Sequence, residues 1–348
     1  MRVLVVVASH GGARTVSELI AHLDERGHAV QLVDADPVLI RQSLQFRPDV
    51  VVVASGSALM DVRLEVRRAG RPCSGALVEL IPYGGRPHDP AERVEIVAPD
   101  DWYLVANEMD GRAIVGRFGV PPERVIACGA LEFDAWLNPA PSLDPSGLVG
   151  LLGLSGRRPF IVCRTTASKT GKQNRAVYKA QRKLVGDWLR SFAVCAAQPF
   201  DVLVMTPHPL QKAWRRLLIE LALDGATCAA DPADPLTTRD ALFHSHGMVA
   251  VDPASLVEAV LVDRPAYVLR AGKPPLQTPI GDYLAGAEIV TGSPPDVQRS
   301  TALLSSEERR RFLEKAIRPN GISTPAWLGV ITALEHISTV TARRAGPP

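Results

Sequence analysis

The sequence has few of the features that mark secreted, metal-stapled or membrane-spanning proteins. Its five cysteines among 348 residues are scattered and form no Cys-x-x-Cys pair, which argues against a disulfide framework and against a structural zinc site. No apolar run approaches the ~18 residues that span a bilayer, and no signal-peptide cleavage pattern follows the first residues. We therefore expect a cytoplasmic protein without a transmembrane segment.

An excess of charge of one sign is also missing. The net charge is +2 and aromatic residues make up 5% of the chain, so no strong overall field attracts nucleic acid or an acidic membrane. Any anion site must be local. With 46% hydrophobic and 22% charged residues, the composition is that of a globular protein, and the length allows two domains of ordinary size.

Alternating strand and helix patterns fill the first half of the chain. A β-branched run at residues 3–7 leads through Gly11 and Gly12, read as a glycine turn, into a helix predicted over residues 15–26. Further strands are predicted at residues 28–36, 50–54, 75–80 and 102–105. This alternation predicts a doubly wound α/β fold with mostly parallel sheets. Neither a G-x-G-x-x-G spacing nor a P-loop is present.

Two side chains of the first half are candidates for acid–base chemistry. His10 follows the first strand at the edge where open α/β sheets bind ligands, and its pKa range suits a general base; the alternative is a hydrogen-bonded loop histidine. Glu79 interrupts an apolar strand near its carboxyl end, which fits either a cleft carboxylate or an edge residue facing solvent. The polar loop 82–99 is either an acceptor-binding loop or a plain connection.

The second half begins after a Pro-, Ser- and Gly-rich linker at residues 138–147. A strand starting at residue 159 ends in Arg164 and Thr165, with Lys169 shortly after, and residues 145–186 contain no Asp or Glu. Hydroxyls, glycine and positive charge after a strand suit a pyrophosphate leaving group. The alternative, a solvated basic helix face, accounts for residues 179–183.

A second candidate phosphate site lies at residues 252–258. Asp252 is a good helix N-cap and Pro253 suits the first helical position, and free N–H groups at a helix start favour phosphate. We expect Ser255 to contact phosphate and Glu258 to accept hydrogen bonds from a sugar hydroxyl. The alternative is an ordinary capped αβ unit.

The order of several short motifs resembles the GT-B glycosyltransferases and the related non-hydrolysing UDP-N-acetylglucosamine 2-epimerases. The motifs are Ser9-His10-Gly11-Gly12, Arg26-Gly27-His28, Arg47-Pro48-Asp49, Gly119-Val120-Pro121 with Arg124, and Gly129 with Asp134. His208, which is held between two prolines after a strand predicted at residues 202–205, resembles the His-Pro of the epimerases and of CDP-glycerol glycerophosphotransferases. In those families it lies beside the nucleotide or its phosphates.

The resemblance implies two Rossmann-like domains that face a cleft. Residues 1–140 would form the acceptor-side domain and residues 148–324 the nucleotide-donor domain, while a helix and tail at residues 325–348 would pack back across the cleft. It assigns His10 and Glu79 to catalysis. The donor-binding set is Gly11, Gly12, Arg164, Thr165, Lys169, His208, Ser255 and Glu258.

The function that this resemblance implies is sugar transfer from a nucleotide-diphosphate sugar to a small-molecule, lipid-linked or glycan acceptor. No metal or other cofactor is expected, because a helix dipole and basic residues can stabilise the departing diphosphate. No nucleic-acid partner is expected, and a homodimer is left open.

Three alternatives stay open. A 2-epimerase keeps Glu79, His208 and Glu258, but residues 54–57 replace that family's Asp-Thr, and residues 164–168 replace its His-Arg-Arg-Glu-Asn. A CDP-glycerol-type glycerophosphotransferase is weakened by Ala254-Ser255 in place of a Ser-Ser pair. The third alternative is a catalytically degenerate protein that only binds a nucleotide sugar.

Overall fold

The computed structural model is an α/β structure that divides into two compact units. It describes residues 1–7, 10–54, 59–69, 76–81, 100–136, 141–165, 172–193, 200–206, 211–222, 225–230, 235–250, 256–269 and 306–345. Unit 1 comprises Met1–Asp134 and Arg310–Pro348, and unit 2 comprises Ala135–Arg309. The chain therefore leaves unit 1, builds unit 2 and returns to unit 1.

Unit 1 contains a six-stranded sheet in the order β2-β1-β3-β4-β5-β6, and every described strand pair in it is parallel. Its strands are β1 (Arg2–Val7), β2 (Ala29–Asp34), β3 (Val50–Val53), β4 (Ala76–Leu80), β5 (Trp102–Val105) and β6 (Val125–Ala127). The helices between them are α1 (His10–Glu25), α2 (Pro37–Ser43), α3 (Leu59–Ala69) and α4 (Glu108–Phe118). β3 is four consecutive valines, all buried, as expected of a central parallel strand covered on both faces.

Unit 2 contains a five-stranded parallel sheet in the order β11-β10-β7-β8-β9. Its strands are β7 (Phe160–Arg164), β8 (Asp201–Thr206), β9 (Ala226–Ala230), β10 (Gly247–Ala250) and β11 (Ala266–Val268). Its helices are α5 (Pro145–Leu152), α6 (Lys172–Ala193), α7 (Gln211–Glu220), α8 (Pro235–His244) and α9 (Leu256–Leu261). Val185 and Trp188 of α6 and Trp214 of α7 pack with β7 and β8 into one core.

The C-terminal segment completes the core of unit 1. After α10 (Ser306–Phe312) come a π-helical turn (Leu313–Ile317) and α11 (Ala326–Ala345). Val330, Leu334 and Ile337 of α11 are fully buried in the cluster that α1 and the sheet form. One face of the six-stranded sheet is therefore covered by helices from both ends of the sequence.

A buried junction fixes the start of α11. Asp134 accepts hydrogen bonds from the N–H groups of Ala326 (2.8 Å) and Trp327 (2.9 Å) and pairs with Arg318 at 2.7 Å. Arg318 also donates to the carbonyls of Ala130 and Phe133. Burial raises the pKa of the Asp134 carboxyl, against the opposing effect of the Arg318 charge and the two N–H groups. Apart from Arg318 Nε, which has no hydrogen-bond partner among the described residues, the junction is satisfied in hydrogen bonds, but it is costly in desolvation.

Two sequence expectations about elements are wrong. The first helix begins at His10, so Gly11 and Gly12 lie in its first turn and not in a separate glycine turn. The end of the predicted linker belongs to α5, which starts at Pro145 with Asp144 as its N-cap. Strands β6 and β9 were not predicted. The loop 82–99 and a last strand expected at residues 288–290 lie outside the described residues.

The described helices include none with the length and apolar character that crossing a membrane requires.

Candidate functional site

The chain changes direction across the sheet of unit 2 between β7 and β10. From β7 it proceeds to β8 and β9 on one side, and then returns to β10 and β11 on the other side. Ligands of open α/β sheets bind at such a switch point, outside the carboxyl ends of the strands. The side chains that end β7 and follow β10 are therefore the first to consider.

Arg164 and Glu258 meet at this switch point. Arg164 is the last residue of β7 and lies in register with Ala250, the last residue of β10. Glu258 lies in the first turn of α9, which follows β10. Arg164 Nη1 is 3.1 Å from Glu258 Oε2, and the two side chains are 14% and 16% exposed. The sequence predicted both residues as donor-binding, and the structure brings them together as a partly buried ion pair.

Two buried threonines end the neighbouring strands. The N–H of Thr165 donates to the carbonyl of Met205 at 3.0 Å, and its hydroxyl faces the same oxygen at 3.4 Å. Thr206, the last residue of β8, is fully buried, and in the described part of the chain its hydroxyl has no hydrogen-bond partner. A buried hydroxyl without a partner costs free energy. The sequence analysis does not identify Thr206 as a site residue. Its position directly before Pro207 and His208 is the sequence feature that could have indicated it.

The two threonines give a matched stability test. Thr206→Val removes a hydroxyl that lacks a partner, so we expect it to raise the free energy of unfolding by about 1 kcal/mol. Thr165→Val removes a hydroxyl that faces a carbonyl, so we expect it to lower that free energy. Urea denaturation of both variants measures the difference. A loss of stability in Thr206→Val equal to that in Thr165→Val would show that the hydroxyl of Thr206 is bonded within the protein.

In unit 1, Glu79 is buried near the carboxyl end of a central strand. It is 1% exposed and pairs in register with Val53 of β3 and Tyr103 of β5. The reading of Glu79 as an edge residue facing solvent is therefore wrong. By strand alternation it lies on the same face as Leu77, which packs in the cluster that also contains Ile40 of α2. Burying a carboxylate in a parallel sheet costs free energy unless the group is paired or hydrogen-bonded.

His10 is the first residue of α1 and follows the end of β1 by three positions. In the six-stranded sheet β1 lies between β2 and β3, so α1 starts at the switch point of unit 1, where ligands bind in such folds. The position of His10 at the start of α1 agrees with its expected place at the edge of the sheet where the strands have their carboxyl ends. The role of its side chain stays a prediction.

Four of the predicted donor-site features lie outside the described residues. These are Lys169, His208, Ser255 and the helix start at Asp252 and Pro253. They stay predictions of the sequence.

Other charged residues have structural roles that the sequence did not reveal. Asp240 of α8 accepts hydrogen bonds from the N–H groups of Ser142 and Leu143 and so holds the segment before α5. Asp34 and Asp36 form an Asp-x-Asp triplet after β2, but Asp36 caps α2 through the N–H groups of Val38 and Leu39. Over the described ranges, no three His, Cys, Asp or Glu side chains group as a metal site would require.

Comparisons with known proteins agree with this architecture. No protein-family model and no curated protein sequence matches the chain. Solved structures do match. A UDP-GlcNAc 2-epimerase from Neisseria meningitidis, bound to UDP-GlcNAc, is similar at 15% identity and a TM-score of 0.62, over 96% of this chain and 100% of that one.

Two further solved structures match over nearly the full length. A UDP-GlcNAc 2-epimerase from Methanocaldococcus jannaschii, in complex with UDP-GlcNAc and UDP, has 13% identity and a TM-score of 0.62, over 97% of this chain and 100% of that one. A glycosyltransferase from Rickettsia africae has 10% identity and a TM-score of 0.60, over 97% and 98%. At this identity the likeness shows the fold, which is GT-B with two Rossmann-like units.

Proposed function

We propose that this chain is a GT-B enzyme that binds a nucleotide-diphosphate sugar in unit 2 and transfers the sugar to an acceptor, without a metal ion. The observation that carries the proposal is the Arg164–Glu258 pair at the switch point of the five-stranded sheet. The neighbouring structures that contain UDP or UDP-GlcNAc support a nucleotide sugar as the ligand class.

The two side chains of the pair suit different parts of the donor, namely the ribose and the diphosphate. A carboxylate has several acceptor sites, so Glu258 can accept hydrogen bonds from ribose hydroxyls while it orients Arg164. The guanidinium of Arg164 is planar and permanently charged and suits phosphate oxygens. Held 3.1 Å from Glu258, it is positioned before the donor arrives, which lowers the entropy cost of binding.

The proposed reaction breaks the bond between the anomeric carbon and the diphosphate and forms a bond from that carbon to the acceptor oxygen. The electron pair of the broken bond leaves on the diphosphate, where Arg164 stabilises the added charge. The acceptor proton passes to a general base. The base candidates are His10 and Glu79, both in unit 1.

A ribose test isolates the role of Glu258. Glu258→Gln should weaken binding of UDP, or of another nucleoside diphosphate that the wild type prefers, by about 10- to 100-fold, the value of a hydrogen bond to a charged group. The 2′,3′-dideoxy nucleotide should lose less affinity in the variant than the ribonucleotide does, because it lacks the hydroxyls proposed to contact Glu258 and only the orientation of Arg164 still differs. Calorimetry or thermal shift measures both ligands, since binding to the folded state raises the apparent stability.

The matched control is Glu108→Gln, which removes a carboxylate that is 78% exposed and should leave nucleotide binding unchanged. Thr206→Val gives a second readout. If the donor contacts the Thr206 hydroxyl, this variant should bind nucleotide more weakly while keeping at least the stability of the wild type. If none of the UDP, CDP, GDP and TDP donors shifts the wild-type midpoint, the donor-site proposal fails. If Glu258→Gln binds the ribonucleotide as tightly as the wild type, Glu258 is structural.

A second candidate, UDP-N-acetylhexosamine 2-epimerisation, is favoured by one observation. Glu79, which the resemblance also assigns to the epimerases, is buried near the carboxyl end of β4, where it could move a proton at a sugar carbon. This reaction needs no acceptor. The test incubates the protein with UDP-GlcNAc in deuterium oxide without an acceptor and monitors the sugar by proton NMR. Conversion to the 2-epimer would show that the protein is an epimerase and not a transferase. Release of free UDP only when an acceptor is added would support transfer.

A further inference from the structure

Two neighbouring helices of unit 2 share one side of the sheet. α6 connects β7 to β8 and α7 connects β8 to β9. Their buried residues pack into the same core, and a Cβ placed on Gly186 of α6 would lie 3.6 Å from Leu217 of α7. The sides of α6 and α7 that face away from the sheet therefore form one continuous surface, which we call the α6–α7 face.

The α6–α7 face concentrates positive charge. Six of its cations form no ion pair within the described residues, namely Lys179, Arg182, Lys183, Lys212, Arg215 and Arg216. Its two carboxylates are Asp187, which pairs with Arg190 at 2.6 Å, and Glu220. The formal charge of the whole chain is only +2. The two carboxylates are fewer than the six cations, so this face carries a local positive charge although the chain as a whole is close to neutral.

A groove of mixed polarity adjoins the charges. It has a volume of about 380 Å³ and lies between α7 and the edge strand β9, with Leu218, Ile219, Ala222 and Ala226 in its lining. Arg215 also lines it. Ile219 is 77% exposed, more than any other large hydrophobic side chain in the described part of the chain. Thr227 and Cys228 complete the lining, so apolar, polar and cationic groups lie side by side next to the exposed Ile219.

We propose that the α6–α7 face docks onto an anionic lipid bilayer, with the cations against the headgroup phosphates and Ile219 entering the apolar boundary. Clusters of Lys and Arg bind anionic membranes through their summed charge, and an exposed apolar side chain adds insertion. Single-stranded nucleic acid fits this surface less well, because its bases stack on exposed aromatic side chains, while Trp188 and Trp214 of these helices are buried.

Vesicle co-sedimentation of the full chain tests the proposal. Binding is measured to vesicles of phosphatidylcholine alone and to vesicles with about one third phosphatidylglycerol, a composition that supplies the negative surface on which such clusters act. We expect binding to the anionic vesicles only. Replacing Lys212, Arg215 and Arg216 together with glutamine should weaken the partition coefficient about 100-fold, since each cation near the surface contributes about fivefold.

The matched control removes three exposed cations from unit 1. The triple variant Arg26→Gln, Arg47→Gln and Arg112→Gln has the same net charge as the triple variant of α7 and should bind the anionic vesicles like the wild type. Ile219→Ser should keep binding at low salt but lose the part that persists when added salt screens the charges. Circular dichroism confirms that each variant is folded.

Three results would overturn the proposal. One is equal binding to neutral and anionic vesicles. Another is an equal loss of binding in the two triple variants, which would mean that net charge alone is responsible. The third is tight binding of the wild type to a short RNA duplex together with no sedimentation on anionic vesicles, which would identify the face as a nucleic-acid surface.

Discussion

Replacing Asp134 with alanine is expected to lower the free energy of unfolding of unit 1 by about 3–5 kcal/mol, the cost of leaving one partner of a buried ion pair alone. Arg318 would lose its partner at 2.7 Å while its side chain stays 3% exposed. The N–H groups of Ala326 and Trp327 would lose their acceptor as well. Unfolding of a two-unit chain is not one transition, so amide exchange in α11 is the appropriate measurement.

The double variant Asp134→Ala and Arg318→Met separates burial from pairing. Burial lowers the pKa of Arg318 and raises that of Asp134, which shows that both charged forms are held against a desolvation cost. Removing both charges should therefore recover a large part of the stability that the single variant loses. A double variant that is less stable than Asp134→Ala would contradict this account and would assign the main contribution to the carbonyl contacts of Arg318.

Gly129→Ala should be similarly damaging, for a steric reason. Gly129 has φ +101, and a Cβ there would lie 2.9 Å from Ala326 Cβ and 3.3 Å from the carbonyl oxygen of Ile317. Backbone strain at such a position and overpacking each cost of order 1–3 kcal/mol. We expect a loss of about 3 kcal/mol in the free energy of unfolding of unit 1, measured by urea denaturation and by exchange of the α11 amides.

Two glycines of α4 and its end give graded controls. Gly119 has φ +66 with nothing within 4 Å of an added Cβ, so Gly119→Ala should cost about 1 kcal/mol from backbone strain alone. Gly116 is helical with the same open space, so Gly116→Ala should stabilise by roughly 0.5–1 kcal/mol. If Gly129→Ala costs no more than Gly119→Ala, the packing of Gly129 against Ala326 at the start of α11 is not as tight as these distances imply.

The fold follows from the sequence where local patterns are strong. The valine runs of β1 and β3 can only be buried parallel strands, and the strand that ends at Arg164 was recognised from its apolar run. β6 was missed because it has only three residues, all half-buried. β9 was missed because Thr227 is the one β-branched residue in its sequence Ala-Thr-Cys-Ala-Ala. The sequence predicts a later start for α1 because Gly11 and Gly12 have low helix propensity and favour a turn. Tertiary structure can override that propensity, and both glycines are helical.

The site was predicted by residue type, but not by pairing. Arg164 and Glu258 are separated by 94 positions, and only the order of the strands brings them to 3.1 Å. Glu79 was left between two readings because a strand pattern does not tell a central strand from an edge strand. Thr206 carries no distinctive spacing, and it is of interest because its buried hydroxyl has no hydrogen-bond partner among the residues that the structure describes.

The return of the chain to unit 1 has a consequence for synthesis on the ribosome. Unit 2 is one continuous stretch, Ala135–Arg309, so it can fold as soon as it has been made. The six-stranded sheet is complete much earlier, but the face that α11 covers stays open until residues 326–345 emerge. During that interval an apolar surface is exposed, and this is the window in which chaperone binding or aggregation would act on the nascent chain.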